Sequence, residues 1–249
     1  MKIGVVGLGY WGPNLVRNFL SAQGVDGVIA FDKQPAKIGK VRKKLPGMEP
    51  IESFEKLLKH PDVQGIAVAT PVSTHFDLGM KILQAGKHLL LEKPMAATVK
   101  EAVTLAEFAE KQGLRIQIDQ TFVYTGAVRK IKELIQKKVL GDILYFDSVR
   151  INLGLFQHDT NVIWDLAPHD ISIMRYVIDD NPTAVSAHGV NHFNGHEDMA
   201  YITVEHNKKL MSHFHVNWLS PVKIRRVLIG GSKHMIVYDD MNSDEKVKV

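Results

Sequence analysis

KIGVVGLGYWGP, residues 2–13, decides the fold. Residues 2–6 read as a buried strand, and they run straight into a G-x-G-x-x-G formed by Gly7, Gly9 and Gly12, with Pro13 placed to open a helix. Each glycine has its own reason. Gly7 permits a tight turn, Gly9 lets the backbone approach a pyrophosphate, and Gly12 lets the helix pack closely on the strand, with the helix N-terminus facing the phosphate charge. Tyr10 and Trp11 lie inside the loop and count with the glycines as cofactor-binding positions. Asp32 follows twenty residues after Gly12, at the end of a second strand read over residues 27–31. A carboxylate there accepts from ribose hydroxyls and repels a 2′-phosphate, which favours NAD, while Lys33 and Lys37 nearby leave NADP open.

Working outward, further short apolar runs at residues 63–69, 88–91 and 115–118 alternate with amphipathic stretches, the pattern of βαβ units feeding a parallel sheet. Ser53 opens one helix, Thr74 opens another that Gly86 closes, and Thr98 with Glu101 makes a capping box for a third ended by Gly113. An amphipathic helix over residues 125–138 follows. After Gly141 the texture changes to longer alternating runs at residues 143–153, 183–190, 199–206, 210–218 and 224–229, with a hairpin turn at 207–209 and one helical stretch at 166–178. The fold class is therefore α/β: a Rossmann domain with a parallel sheet over residues 1–120, then an α+β domain with a mostly antiparallel open sheet over residues 121–249.

Composition narrows the chemistry. The 249 residues are 45% hydrophobic, which suits one large or two smaller folded domains and excludes a disordered chain. A net charge of +4 is too small to mark a nucleic-acid binder without a clustered patch. No apolar run approaches a membrane span and the amino terminus reads as a strand, so a cytoplasmic location is expected. With no cysteine, disulfides, thiolate metal sites and a Cys nucleophile are excluded. His213 with His215, and His192 with His196, lack a third ligand at fixed spacing, so no metal is expected.

Two segments carry acid–base candidates. Lys93 follows the run at 88–91, at the carboxyl end of a sheet strand where open α/β sheets bind ligands, and its ammonium can stabilise a developing alkoxide. Asp165 and His169 lie four apart, on one face of a helix, and an imidazole suits proton removal from an alcohol. Because Pro168 is tolerable in a first turn, two readings of Asp165 stand: an N-cap of the helix carrying His169, or a partner in its chemistry. Asp170 reads as structural.

GLGYWG at 7–12, ATPVSTH at 69–75 leading to LEKP at 91–94, and WDLAPHD at 164–170 together resemble the Gfo/Idh/MocA family of nicotinamide-dependent sugar oxidoreductases. The resemblance implies a Rossmann domain joined to an open-sheet domain, with substrate between them and hydride passing to or from the nicotinamide. By it, Lys93 is the catalytic lysine, with Pro94 in a cis bond, His169 is the general base or acid, and Asp165 orients it or contacts a sugar hydroxyl. Thr70 and Pro71 would line the nicotinamide ribose with Thr74 capping a helix, His75 would border the cofactor, and Glu92 would lie near the same ribose. The runs at 9–19, 148–156 and 162–170 resemble the branch that oxidises the 3-hydroxyl of UDP-linked N-acetyl amino sugars or their uronates. Arg150, with Lys223, Arg225 and Arg226, is a candidate for the diphosphate, and Trp164, Phe156 and Tyr124 for stacking on base or sugar. Free sugars or inositols are the alternative substrates, and a non-catalytic dinucleotide-binding regulator is the alternative class. Relatives normally continue beyond a segment like residues 230–249. The second sheet is therefore expected to be incomplete, uncovered near Val227, Ile229, Ile236 and Val237, and to form a homo-oligomer through its face.

Overall fold

The structure is a computed structural model describing every residue except Leu155, His158, Asn194 and Lys208, so the turn expected at 207–209 lies partly outside the described residues. The chain divides into two compact units, Met1–Asp119 and Gln120–Val249.

In the first unit the order is β1 (Lys2–Val6), α1 (Gly12–Leu20), β2 (Gly27–Phe31), α2 (Pro35–Lys44), β3 (Met48–Pro50), α3 (Phe54–Leu58), β4 (Val63–Val68), α4 (His75–Gln84), β5 (His88–Leu91), α5 (Val99–Lys111) and β6 (Ile116–Ile118). The six strands pair in the order β3-β2-β1-β4-β5-β6, all parallel. Strand order reverses between β1 and β4, which puts the ligand crevice outside the carboxyl ends of those strands. Val5, Val16, Val28 and Ala30 form one buried cluster, and Val68, Ile82, Leu91 and Leu105 belong to another. Thr98 and Glu101 close the expected capping box, and Ser53 accepts from the Lys56 backbone N–H. Thr74 stands at the N-cap of α4, as expected, but makes no side-chain cap bond: its hydroxyl donates to the Pro71 carbonyl and pairs with the Thr70 hydroxyl.

The second unit contains α6 (Gly126–Gln136), β7 (Ile143–Leu153), α7 (Val162–Val177), β8 (Pro182–Val190), β9 (Met199–His206), β10 (Met211–Asn217), β11 (Leu219–Gly231), β12 (Met235–Asp239) and β13 (Val247–Lys248). Its strands pair in the order β13-β12-β11-β7-β10-β9-β8. All neighbours are antiparallel except β7 and β10. Phe146, Phe214, Val216, Val227, Ile229 and Ile236 form one core with Val128 and Ile131 of α6 and Ile173 and Met174 of α7. This corrects the expectation of an uncovered face. Val227, Ile229 and Ile236 are at most 2% exposed beneath that helical layer, whereas Val237, pointing to the other face by strand alternation, is 37% exposed.

Candidate active site

The glycine loop is shaped by contacts that only glycine allows. Gly7 has φ +91°, and a Cβ on it would stand 2.5 Å from the Ala69 carbonyl oxygen. One on Gly12 would stand 1.9 Å from the Gly7 carbonyl oxygen, while Gly9 faces open space. Gly7 N–H donates to the Phe31 carbonyl at 2.9 Å. Asp32 accepts from the Leu8 N–H at 2.7 Å and the Gln34 N–H at 2.8 Å, which ties the loop to the end of β2. Helix α1 has neither a side-chain cap nor an acidic residue in its first turn, so its N-terminal N–H groups and partial positive charge suit a pyrophosphate. Tyr10 is 90% exposed, and Trp11 donates its indole N–H to Asp119 at 3.1 Å.

Beyond the loop, the carboxyl ends of β4, β5 and β6 bring together Thr70, Pro71, Glu92, Lys93 and Asp119. His75, expected to border a cofactor, is 1% exposed and instead joins two loops: Nδ1 lies 2.9 Å from the Pro94 carbonyl oxygen and Nε2 3.0 Å from that of Thr70. A neutral imidazole can donate to only one of them. The bond between Lys93 and Pro94 is cis, and Lys93 is half-buried. Burial raises the Glu92 carboxyl to about 8, helped by the hydrogen bond that its protonated form donates to Asp119 and by the Asp119 charge, and opposed by Lys93. Asp119 escaped the sequence reading, although it ends β6 much as Asp32 ends β2.

In the second unit the helix carrying the acid–base candidates starts earlier than expected. Its N-cap is Asn161, whose side chain accepts from the Trp164 N–H at 3.0 Å, so Asp165 is not the cap and Pro168 falls inside the helix. Asp165 accepts the indole N–H of Trp218 at 3.1 Å. The His169 ring meets Phe122 edge to face at 5.1 Å between centroids. Arg150, expected to meet substrate phosphate, is 3% exposed and bidentate on Asp170, with Nε–Oδ2 2.9 Å and Nη2–Oδ1 2.7 Å; its guanidinium lies over Phe122. Inward orientation on β7 explains this, because that face lies beneath α7. Arg225 pairs with Asp240 at 3.4 Å and Arg226 with Asp239 at 2.8 Å, leaving Lys223 exposed. Trp164 is half-buried, Tyr124 is exposed, and Phe156 packs on Trp218. Among the described residues, no group of three His, Cys, Asp or Glu is placed to hold a metal ion.

A parallel sheet with a phosphate-ready glycine loop, a carboxylate ending β2 and a second open sheet defines a two-unit dinucleotide-binding protein. Residues 1–120 match the family described as "Oxidoreductase family, NAD-binding Rossmann fold", and residues 128–237 match the "GFO/IDH/MocA C-terminal domain". The chain belongs to the Gfo/Idh/MocA family, and its first unit is an NAD-binding Rossmann domain. It is 29% identical to UDP-N-acetylglucosamine 3-dehydrogenase of Acidithiobacillus ferrooxidans, over 80% of this chain and 61% of that protein. To scyllo-inositol 2-dehydrogenase (NADP(+)) IolW of Bacillus subtilis it is 24% identical, over 93% of this chain and 63% of that one. Among solved structures, GenD2 from gentamicin A biosynthesis, in complex with NAD, superposes with a TM-score of 0.89 at 21% identity, covering 96% of this chain and 72% of GenD2. The chain spans about half to seven-tenths of the length of the curated relatives it matches.

Proposed function

We propose that the chain is an NAD-dependent dehydrogenase that oxidises a secondary alcohol of a sugar or polyol, with C3 of a UDP-linked N-acetyl amino sugar or its uronate as the substrate position. The observation that carries the reading is Lys93 at the carboxyl end of β5, on the same sheet edge as the glycine loop and Asp32. NAD, when bound, supplies the hydride acceptor. The Lys93 ammonium donates a hydrogen bond to the reacting hydroxyl oxygen and stabilises alkoxide character there. His169 removes the hydroxyl proton, and Asp165, held by the Trp218 indole, accepts from a neighbouring sugar hydroxyl. Glycine-loop N–H groups and α1 hold the pyrophosphate, Asp32 reads the adenosine ribose, and Thr70, Pro71 and Glu92 line the nicotinamide ribose.

The nucleotide-sugar assignment is supported by the 29% identical Acidithiobacillus ferrooxidans relative. A second reading, free inositols or sugars, is favoured by the engagement of Arg150 with Asp170, which removes one cation available to a diphosphate. NADH formation at 340 nm, measured against UDP-N-acetylglucosamine, its uronate, scyllo-inositol and glucose, separates them. Turnover of polyols alone selects the second reading. NAD binding without turnover of any compound would replace both with a non-catalytic regulator. The proposal includes a homo-oligomer through the outer face of the second sheet, where Tyr201, Met211, Met235 and Val237 are exposed; a monomer in sedimentation at micromolar concentration would refute that part.

A further inference from the structure

We infer that Arg150, acting through Asp170 and Phe122, is a positioning residue that fixes the His169 imidazole, an assignment that rests on His169 being the group that moves the proton. The circuit is closed. His169 and Asp170 are consecutive on α7, Asp170 accepts N–H bonds from Nε and Nη2 of Arg150, the guanidinium carbon lies 4.5 Å from the Phe122 ring centroid, and that ring meets the imidazole edge-on at 69°. A two-point bond to Asp170 sets the rotation of α7 about its axis, because successive residues are about 100° apart on a helix. Phe122 then limits the imidazole from the side.

Two observations favour positioning over packing alone. Pro168 immediately precedes His169 and cannot donate the helical N–H bond to the Trp164 carbonyl, so the backbone ladder is interrupted where the imidazole must be held. The hydroxyl of Ser172 donates to the His169 carbonyl at 2.7 Å, a second side-chain tie at the same residue. A buried ion pair is also an expensive way to fill space, since apolar residues of similar volume are often as stabilising. Only a planar guanidinium supplies the paired donors and the ring contact together, which lysine cannot reproduce.

The test uses the whole chain in four forms: Arg150→Lys, Phe122→Leu, the double variant Arg150→Met with Asp170→Leu, and His169→Ala. The double variant removes both charges, so it guards against misfolding from one stranded ion. Imidazole proton resonances of the cofactor-free protein are recorded by NMR, with the His169 signal assigned by its loss in His169→Ala. NAD reduction is followed with whichever panel compound reacts. Arg150→Lys and Phe122→Leu are expected to shift and broaden the His169 signal, to lower kcat about tenfold to a hundredfold while leaving the KM for NAD unchanged, and to displace the pH profile of kcat. A folded double variant with the wild-type His169 signal, kcat and pH profile would overturn the inference. If His169→Ala keeps normal turnover, the catalytic reading of His169 falls, and the inference falls with it. If no panel compound reacts, an unmoved His169 signal in Arg150→Lys is enough to overturn it.

Discussion

Both oxygens of Asp32 already accept backbone N–H groups, so the carboxylate that would discriminate NAD from NADP also braces the glycine loop. Asp32→Ala should weaken NAD binding about tenfold or more and erase the preference over NADP, whereas Asp32→Asn should keep part of the loop order; fluorescence titration of both cofactors with each variant decides. Lys93→Ala and His169→Ala should each lower turnover by about two orders of magnitude or more with NAD affinity nearly unchanged, measured by steady-state kinetics and cofactor titration. Normal turnover in Lys93→Ala would remove its catalytic role. Glu92 gives a pH prediction. Its carboxyl is raised from an ordinary 4.5 to about 8, so the folded state favours the protonated form; the associated stability is full below about pH 4.5 and is lost as pH rises through about 8. Glu92→Gln should therefore raise the melting temperature of the cofactor-free protein at pH 8 to 9 and change it little near pH 4. Local spacing made the placement of Gly7, Gly12, Asp32 and Lys93 legible, because each stands at a strand end or in its adjoining turn. Asp119, Trp218 and Phe122 were not legible. Trp11 meets Asp119 across 108 residues and Trp218 meets Asp165 across 53, and no local pattern encodes such meetings.

Helices with strong ends were readable for the same reason. The Thr98 hydroxyl and Glu101 carboxylate satisfy each other's backbone N–H groups, and Thr98→Ala should cost about 1 kcal/mol in denaturant unfolding. A cost below measurement would mean that α5 is held by packing alone. Helix α2 was missed because only Val41 is buried among PAKIGKVRKK, which leaves almost no apolar stripe, and β3 because three residues ending in proline carry no alternation. The longer start of α7 was hidden by Pro168, which reads as a first-turn residue and sits deeper in the helix. Arg150 shows a further limit of alternation. The two-residue period identifies opposite faces of β7, but only α7, supplied by another part of the chain, determines which face is buried.

At the scale of the whole molecule, each unit has its own sheet and core, so a ligand confined to one should protect that one first. NAD at about 100 times its dissociation constant should add about 2.7 kcal/mol to the stability of the unit that binds it, read as hydrogen-exchange protection in β1 and β4. Equal gains throughout both units would show that they unfold together. The position of β7 in the second sheet has another consequence. Its hydrogen-bonding partners are β10 and β11, both encoded well downstream, and β11 ends at Gly231, about eighty residues after β7 ends at Leu153. At synthesis rates of about 5–20 residues per second, β7 leaves the ribosome roughly 4–16 seconds before both of its edges can be paired. During that interval the inward side of β7, with Phe146, depends on whatever nascent helix or chaperone covers it, so this unit is where slowed translation would be expected to change the yield of folded protein.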